Sequence, residues 1–165
     1  MKKVLDSIGL LLLSLFVCIA DQWTKAWAVT HVPVLDAALP YPFGGIGVLD
    51  LGDGWSVSLN LIGNTGAAWG IMQDRPTVLL ALRIFLLIAL VAMIVVRKVP
   101  TGWQIPLALV VGGAAGNLWD SFTKGAVVDF LHVQLAGWSF PIFNLADTAI
   151  TLGILWMLFV SYRNR

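Results

Sequence analysis

Four runs of apolar residues, each long enough to cross a bilayer as a helix, constrain this chain more than anything else in it. A hydrocarbon core of about 30 Å takes roughly 20 helical residues. Such runs lie at about residues 8–28, 77–96, 102–119 and 145–162. No water reaches the backbone inside lipid, so each run must satisfy its own N–H and C=O groups, as a helix does. Composition agrees, with 59% hydrophobic and 12% charged residues, against roughly 25% charged in soluble domains. The 165 residues suit one integral membrane domain, 1–165.

The few charges set the topology. Lys2 and Lys3 precede the first run, Arg97 and Lys98 separate the second from the third, and Arg163 and Arg165 follow the fourth. With four spans all six fall on one side, the cytoplasmic side by the positive-inside rule, with both termini. Every acidic residue is an Asp, and all except Asp6 fall at or near the opposite face. Trp23, Trp27, Trp69, Trp119 and Trp138 also fall there, as an aromatic belt would. A formal net charge of +1 gives no footprint for nucleic acid. One cysteine, Cys18, excludes an internal disulfide and argues against a cysteine zinc site. The start, Lys2-Lys3 and then apolar residues to Cys18-Ile-Ala20, also has the outline of a signal peptide. Val17 stands where a small residue is expected, and Asp21 and Lys25 have a use in a retained span.

Two outer segments remain. Residues 31–76 are rich in turn formers, with strand-like runs at Ile46–Leu51 and Trp55–Ile62. The alternation in Trp55-Ser-Val-Ser-Leu-Asn-Leu-Ile62 fits a strand with one apolar face turned to lipid or helices. Residues 121–143 read as an outer loop. The expected fold class is an all-α membrane protein, four transmembrane helices with a small extracytoplasmic sheet. Gly44, Gly45, Gly47, Gly52 and Gly54 would let the longer segment act as a lid.

Polar residues at the span ends carry the chemistry. Asp21 and Lys25 share a helix face in acid-before-base order, either as an ion pair closing the first span or as groups at a site mouth. Asn64-Thr-Gly66 begins a tight turn after a strand-like run. Gly112 and Gly116 have the small-xxx-small spacing of close-packed membrane helices. Gly113, Asn117 and Asp120 share a face that must point inward. Asn144 is a good N-cap, with Asp147 at the capping-box position. Asn144, Asp147, Thr148 and Thr151 form a polar stripe on the outer half of the fourth span, where ionisable groups are costly and mark function. Asp129 sits among apolar residues in Val127-Val-Asp-Phe-Leu131 with no capping role.

Two carboxyls in different surroundings are what a metal-free aspartic hydrolase needs: one ionised to take a proton from water, one protonated to donate. A helix N-terminus favours charge on Asp147 and desolvation opposes it on Asp129, so the first expectation is Asp147 as base and Asp129 as acid, within a pair that shares its protons. Only His31 and His132 are present, with no H-E-x-x-H zinc motif and no nucleophile elbow around Ser139.

Asp21-Gln-Trp-Thr-Lys25, Asn64-Thr-Gly-Ala-Ala-Trp-Gly70, Gly112 to Asp120, Val128-Asp129-Phe130 and Phe143 to Ile150 resemble, in order, the five motif blocks of bacterial prolipoprotein signal peptidases, the signal peptidase II family. The resemblance covers nearly the whole chain. It implies a four-helix core with an outer β-cradle, and an aspartyl endopeptidase at the periplasmic face of the bacterial inner membrane. The implied substrates are diacylglyceryl prolipoproteins, cut just before the lipidated cysteine. The implied inhibitor is globomycin, and a monomer in membrane lipid, without cofactor or metal, would suffice. Asp129 and Asp147 match the catalytic pair. Asn64, Asn117 and Asn144 match positions that support the site or hold substrate, and Gly66, Asp120, Asp21 and Lys25 fall in the same blocks. One departure is Ser121, where the family usually has an Arg that helps hold substrate. Lys124 and Arg83 are the candidates to replace it, although snorkelling also explains Arg83.

Two other classes compete. A proton-coupled transporter would use intramembrane aspartates but wants polar groups at mid-membrane and inverted repeats. A non-enzymatic assembly factor leaves Asp129 and Asp147 without a task.

Overall fold

The computed structural model describes residues 6–66, 74–96 and 99–164. Among them the order is α1 (Ser7–His31), β1 (Ile46–Asp50), β2 (Ser56–Asn64), α2 (Pro76–Val96), α3 (Gln104–Thr123), β3 (Val127–Leu135), β4 (Trp138–Ser139) and α4 (Leu145–Arg163). Each expected span lies on one of these helices. By length and apolarity α1, α2 and α4 can cross a membrane. The third expected run, now α3, carries Gly, Ala, Gln104, Asn117 and Asp120 among its aliphatic residues. Those are residues of a helix packed by protein rather than lipid, and most of α3 from Gln104 to Gly116 is buried.

The chain divides into two compact units. The first holds the chain up to Asp21, Leu80–Trp119 and the chain from Leu145. Leu10, Ile94, Leu107, Ala108 and Val111 form its buried core. Small residues on α3 and α4 let the helices approach. A Cβ on Gly112 would stand 2.5 Å from the Ser14 carbonyl oxygen of α1, and one on Gly113 equally close to the Ala146 carbonyl of α4. Leu12 and Phe16 of α1, Phe85 and Ile88 of α2, and Leu158 and Phe159 of α4 face outward, exposed. Apolar surface on this scale is stable with lipid as its solvent.

The second unit, Gln22–Leu79 with Asp120–Asn144, contains an antiparallel sheet in the order β1-β2-β3-β4. The stretch 121–143, expected as a loop, instead carries the end of α3, β3 and β4. Sequence alternation did not reveal β3 because Val127 to Phe130 are all buried. Its turn to β4 uses Ala136 and Gly137, both at positive φ (51° and 80°), the backbone of a two-residue hairpin.

The alternation in β2 is real, and its polar face is buried too, with Ser56, Ser58 and Asn60 among the buried residues. The Asn60 amide donates to the carbonyls of Pro42 (2.8 Å) and Phe43 (3.2 Å), and Ser58 Oγ donates to Asn60 Oδ1 (2.6 Å). The polar face is thus buried by satisfying the incoming segment's carbonyls. Gly45 allows this approach, since a Cβ there would run into the Leu59 carbonyl and the Asn60 amide. On the apolar face Leu59 and Leu61 pack with Ala28, Val32 and Phe130.

His132 is buried on β3, its ring 4.9 Å from that of Phe43 and its Nε2 2.8 Å from Ser139 Oγ, while Nδ1 has no hydrogen-bond partner among the described residues. Burial lowers its pKa below the ordinary histidine value. The neutral ring is the native form, so its contribution is complete above the unfolded value of about 6.5 and is lost as pH falls through it toward the lowered native value. The thermal midpoint in detergent should fall on going from about pH 7 to about pH 5, and His132→Gln should flatten that fall. A second prediction concerns the helices. Gly112→Val should destabilise the first unit by about 1–3 kcal/mol or more, read as a lower denaturation midpoint.

Candidate active site

The geometry of Asp129 begins with β-pairing. It stands on β3 opposite Ile62 of β2, and is 1% exposed. Two residues beyond Ile62, at the end of β2, the Asn64 side-chain amide donates to Asp129 Oδ2 at 3.0 Å. Asn64 is itself fixed, because its Oδ1 accepts the Gly66 N–H at 3.0 Å. From the other side, Phe143 pairs with Leu131 of β3 through Phe143 N–H to Leu131 O (3.0 Å) and Leu131 N–H to Phe143 O (2.8 Å). That pairing delivers Asn144, fully buried, whose amide donates to Asp129 Oδ1 at 2.6 Å and to Val128 O at 3.2 Å. Both oxygens of a buried carboxylate are therefore met by N–H donors, as burial requires.

The strand is held from a third direction. Asp120 Oδ2 accepts the N–H of Val128 at 3.3 Å and lies 2.8 Å from Lys25 Nζ, both side chains wholly buried. Its Oδ1 takes Lys124 Nζ at 2.7 Å. Lys124, one candidate to replace the family's Arg, is thus joined to Asp120.

In the first unit Asp147 occupies the first turn of α4, half-buried, and its Oδ1 accepts the Asn117 amide at 2.7 Å. Asp21 is wholly buried. Its Oδ1 accepts the Ala146 N–H at 2.9 Å, and Gly116 leaves room for its carboxylate. An oxygen from α1 so takes one of the free donors at the start of α4, the task expected of an N-cap side chain.

The structure thus gathers Asn64, Gly66, Asn144 and Asp129; Lys25, Asp120 and Lys124; Asn117 and Asp147; and Asp21 with the start of α4. Asp21 and Lys25, read from sequence as partners of each other, have these further partners, Ala146 and Asp120. The buried Ser58–Asn60 pair was missed, and its signal was three polar residues at alternate positions in β2. Ala67–Gly70 with Trp69, and Lys2, Lys3, Arg97, Lys98 and Arg165, lie outside the described residues.

Two carboxyls, each oriented by neutral amide donors, suit proton transfer more than ion pairing. The family model for signal peptidase (SPase) II matches residues 13–163. The chain belongs to the signal peptidase II family. A lipoprotein signal peptidase of Bacillus velezensis is 34% identical over 158 residues, with 90% of each chain covered. One from Staphylococcus aureus is 32% identical over 146 residues, covering 88% of this chain and 82% of that protein. Among solved structures, a bacterial membrane enzyme determined at 1.9 Å matches with a TM-score of 0.77 and 29% identity, covering 100% of this chain and 99% of the other. Another, at 2.3 Å, matches with a TM-score of 0.71 and 30% identity over 96% and 88%. This is a peptidase family, and both solved neighbours are bacterial membrane enzymes.

The buried Lys25–Asp120 pair can be tested directly. Lys25→Met should destabilise the fold by about 3–5 kcal/mol by leaving a buried carboxylate short of a cation, and Lys25→Met with Asp120→Leu should recover part of that. Denaturation midpoints of the single and double variants decide it.

Proposed function

We propose that this protein removes the signal peptide from diacylglyceryl-modified prolipoproteins, cutting just before the lipidated cysteine, with Asp129 and Asp147 as its catalytic pair. The observation that carries the reading is the amide-held carboxyl in each of two motif blocks: Asp129 between Asn64 and Asn144, and Asp147 on Asn117. Family membership supplies the peptidase class, and the relatives' name, lipoprotein signal peptidase, points to lipoproteins as the substrate class.

The chemistry follows from two carboxyls in opposite protonation states. One takes a proton from water as the water oxygen attacks the scissile carbonyl carbon. The other gives its proton to the carbonyl oxygen. The resulting tetrahedral diol collapses when the leaving nitrogen receives a proton and the C–N bond breaks. The remaining residues orient this pair: Asn64, Asn117 and Asn144 by donating to it, Gly66 by fixing Asn64, and Asp120, Lys25 and Asp21 by anchoring β3 and α4.

Placement in the cell is part of the same proposal. All four helices span the bacterial inner membrane, with α3 as the protein-enclosed one. The basic residues put both termini in the cytoplasm and the catalytic pair at the periplasmic face. One copy of the chain, in membrane lipid, contains every residue this mechanism uses.

The experiment is cleavage of a lipobox prolipoprotein by the detergent-purified protein, with and without the diacylglyceryl group. The lipidated form should be cut and the unlipidated form spared, with globomycin blocking the reaction. Asp129→Asn and Asp147→Asn should each lower the rate about 10²–10⁴-fold or more while the protein stays folded. Full activity in both variants would refute the assignment.

A further inference from the structure

The strand that carries Asp129 has an edge that no other strand covers along its first half. β2 pairs with Val127, Val128 and Asp129 on one side of β3, while β4 on the other side pairs only with Gln134 and Leu135. The backbone groups of the open edge must find partners elsewhere. Phe143 O takes the Phe130 N–H at 3.1 Å. At Val128 both edge groups are met by side chains, the N–H by Asp120 Oδ2 at 3.3 Å and the C=O by the Asn144 amide at 3.2 Å. The same Asn144 nitrogen donates to Asp129 Oδ1 at 2.6 Å. A shift of the Val128 backbone therefore disturbs both the amide and the carboxyl of that last bond.

The bond from Val128 N–H is the longest of these, and it depends on how the Asp120 carboxylate is turned. Rotation of a carboxylate about its own bond is soft, with broad two-fold preferences. Lys25 Nζ, at 2.8 Å, shares Oδ2 with that N–H and fixes one oxygen. Lys124 Nζ, 2.7 Å from Oδ1, fixes the other and with it the plane. Lys25 already balances the charge of Asp120, so charge compensation gives Lys124 no task, whereas its place does. Lys124 directly follows α3, its N–H donating to Asp120 O at 2.8 Å, and Gly125, at φ 73°, turns the chain toward β3. The Lys124 side chain is 38% exposed and that of Asp120 not at all. A partly exposed pair four residues apart contributes little to stability, so the fold should survive its loss while the geometry does not.

We infer that Lys124 is a positioning residue: it holds the Asp120 carboxylate in the plane that anchors Val128, and through Val128 and Asn144 it sets where the Asp129 carboxyl stands. The inference rests on the catalytic role proposed above for Asp129. Lys124 itself touches no reacting atom. Its loss lowers the fraction of enzyme with Asp129 in place, and so kcat, without changing what holds the substrate.

The test is steady-state cleavage of the lipidated prolipoprotein by Lys124→Ala and Lys124→Arg, with Asp129→Asn alongside. Lys124→Ala should lower kcat about 10-fold or more and leave KM within about twofold, with a thermal midpoint close to that of the parent. Lys124→Arg, whose guanidinium can still donate to Asp120 Oδ1, should recover most of the loss. Lys124→Met serves if the alanine variant fails to fold. A merely structural contact would lower the midpoint and spare the kcat of the folded protein, and a direct hold on substrate would raise KM. Either of those results would overturn the inference. Undiminished cleavage by Asp129→Asn would instead sink the catalytic role on which it rests, a result separate from anything seen at Lys124.

Discussion

A carboxylate taken out of water must be met by donors, and this fold is organised around that requirement. Asp21, Asp120 and Asp129 are all buried, and each is met differently. A backbone N–H at the start of α4 serves Asp21, two lysines serve Asp120, and two asparagine amides serve Asp129. The choice of donor separates structural from chemical use. A carboxylate locked to lysines has given up its basicity to the ion pair. One held by neutral amides keeps lone pairs free for a proton. Asp120 therefore reads as an anchor for the strand that carries Asp129, and Asp129 is the carboxyl proposed above to react.

The lipid setting explains the division of labour among the helices. α1, α2 and α4 present large aliphatic and aromatic side chains outward, where lipid solvates them. α3 is built from small residues because backbones approach it, from α1 at Gly112 and from α4 at Gly113. Without a hydrophobic drive between helices in lipid, such close packing and the polar bonds around it are what bring helices together. The same helix carries Asn117, so the packing that allows close approach also brings this amide to Asp147.

Much of this was legible in the sequence for physical reasons. Apolar runs of bilayer length have few alternatives, and all four lie on helices. The small-xxx-small pair correctly marked the α1–α3 contact. Asp21, Lys25, Asn117, Asp120, Asn144 and Asp147, singled out at span ends, are each engaged. The sheet was less legible. β3 is buried along its first half, so no alternation announced it, and β2 buries its polar face because Asn60 satisfies the carbonyls of a segment that sequence gives no reason to place there. Partners distant in the chain were the least visible. Asp21 and Lys25 obey the local spacing rule for an ion pair, yet long-range contacts gave them Ala146 and Asp120, and local spacing carries no information about those.

The central claim is that two carboxyls activate water directly, with no residue of the chain bonded to the substrate. Rapid quenching of the enzyme during turnover of a lipidated prolipoprotein, followed by intact-mass spectrometry, tests this most directly. The account predicts an enzyme of unchanged mass at every time point, and, in ¹⁸O-water, one heavy oxygen in the new carboxylate of the released peptide. A chain heavier by the mass of the signal peptide, formed and consumed at the rate of turnover, would contradict it.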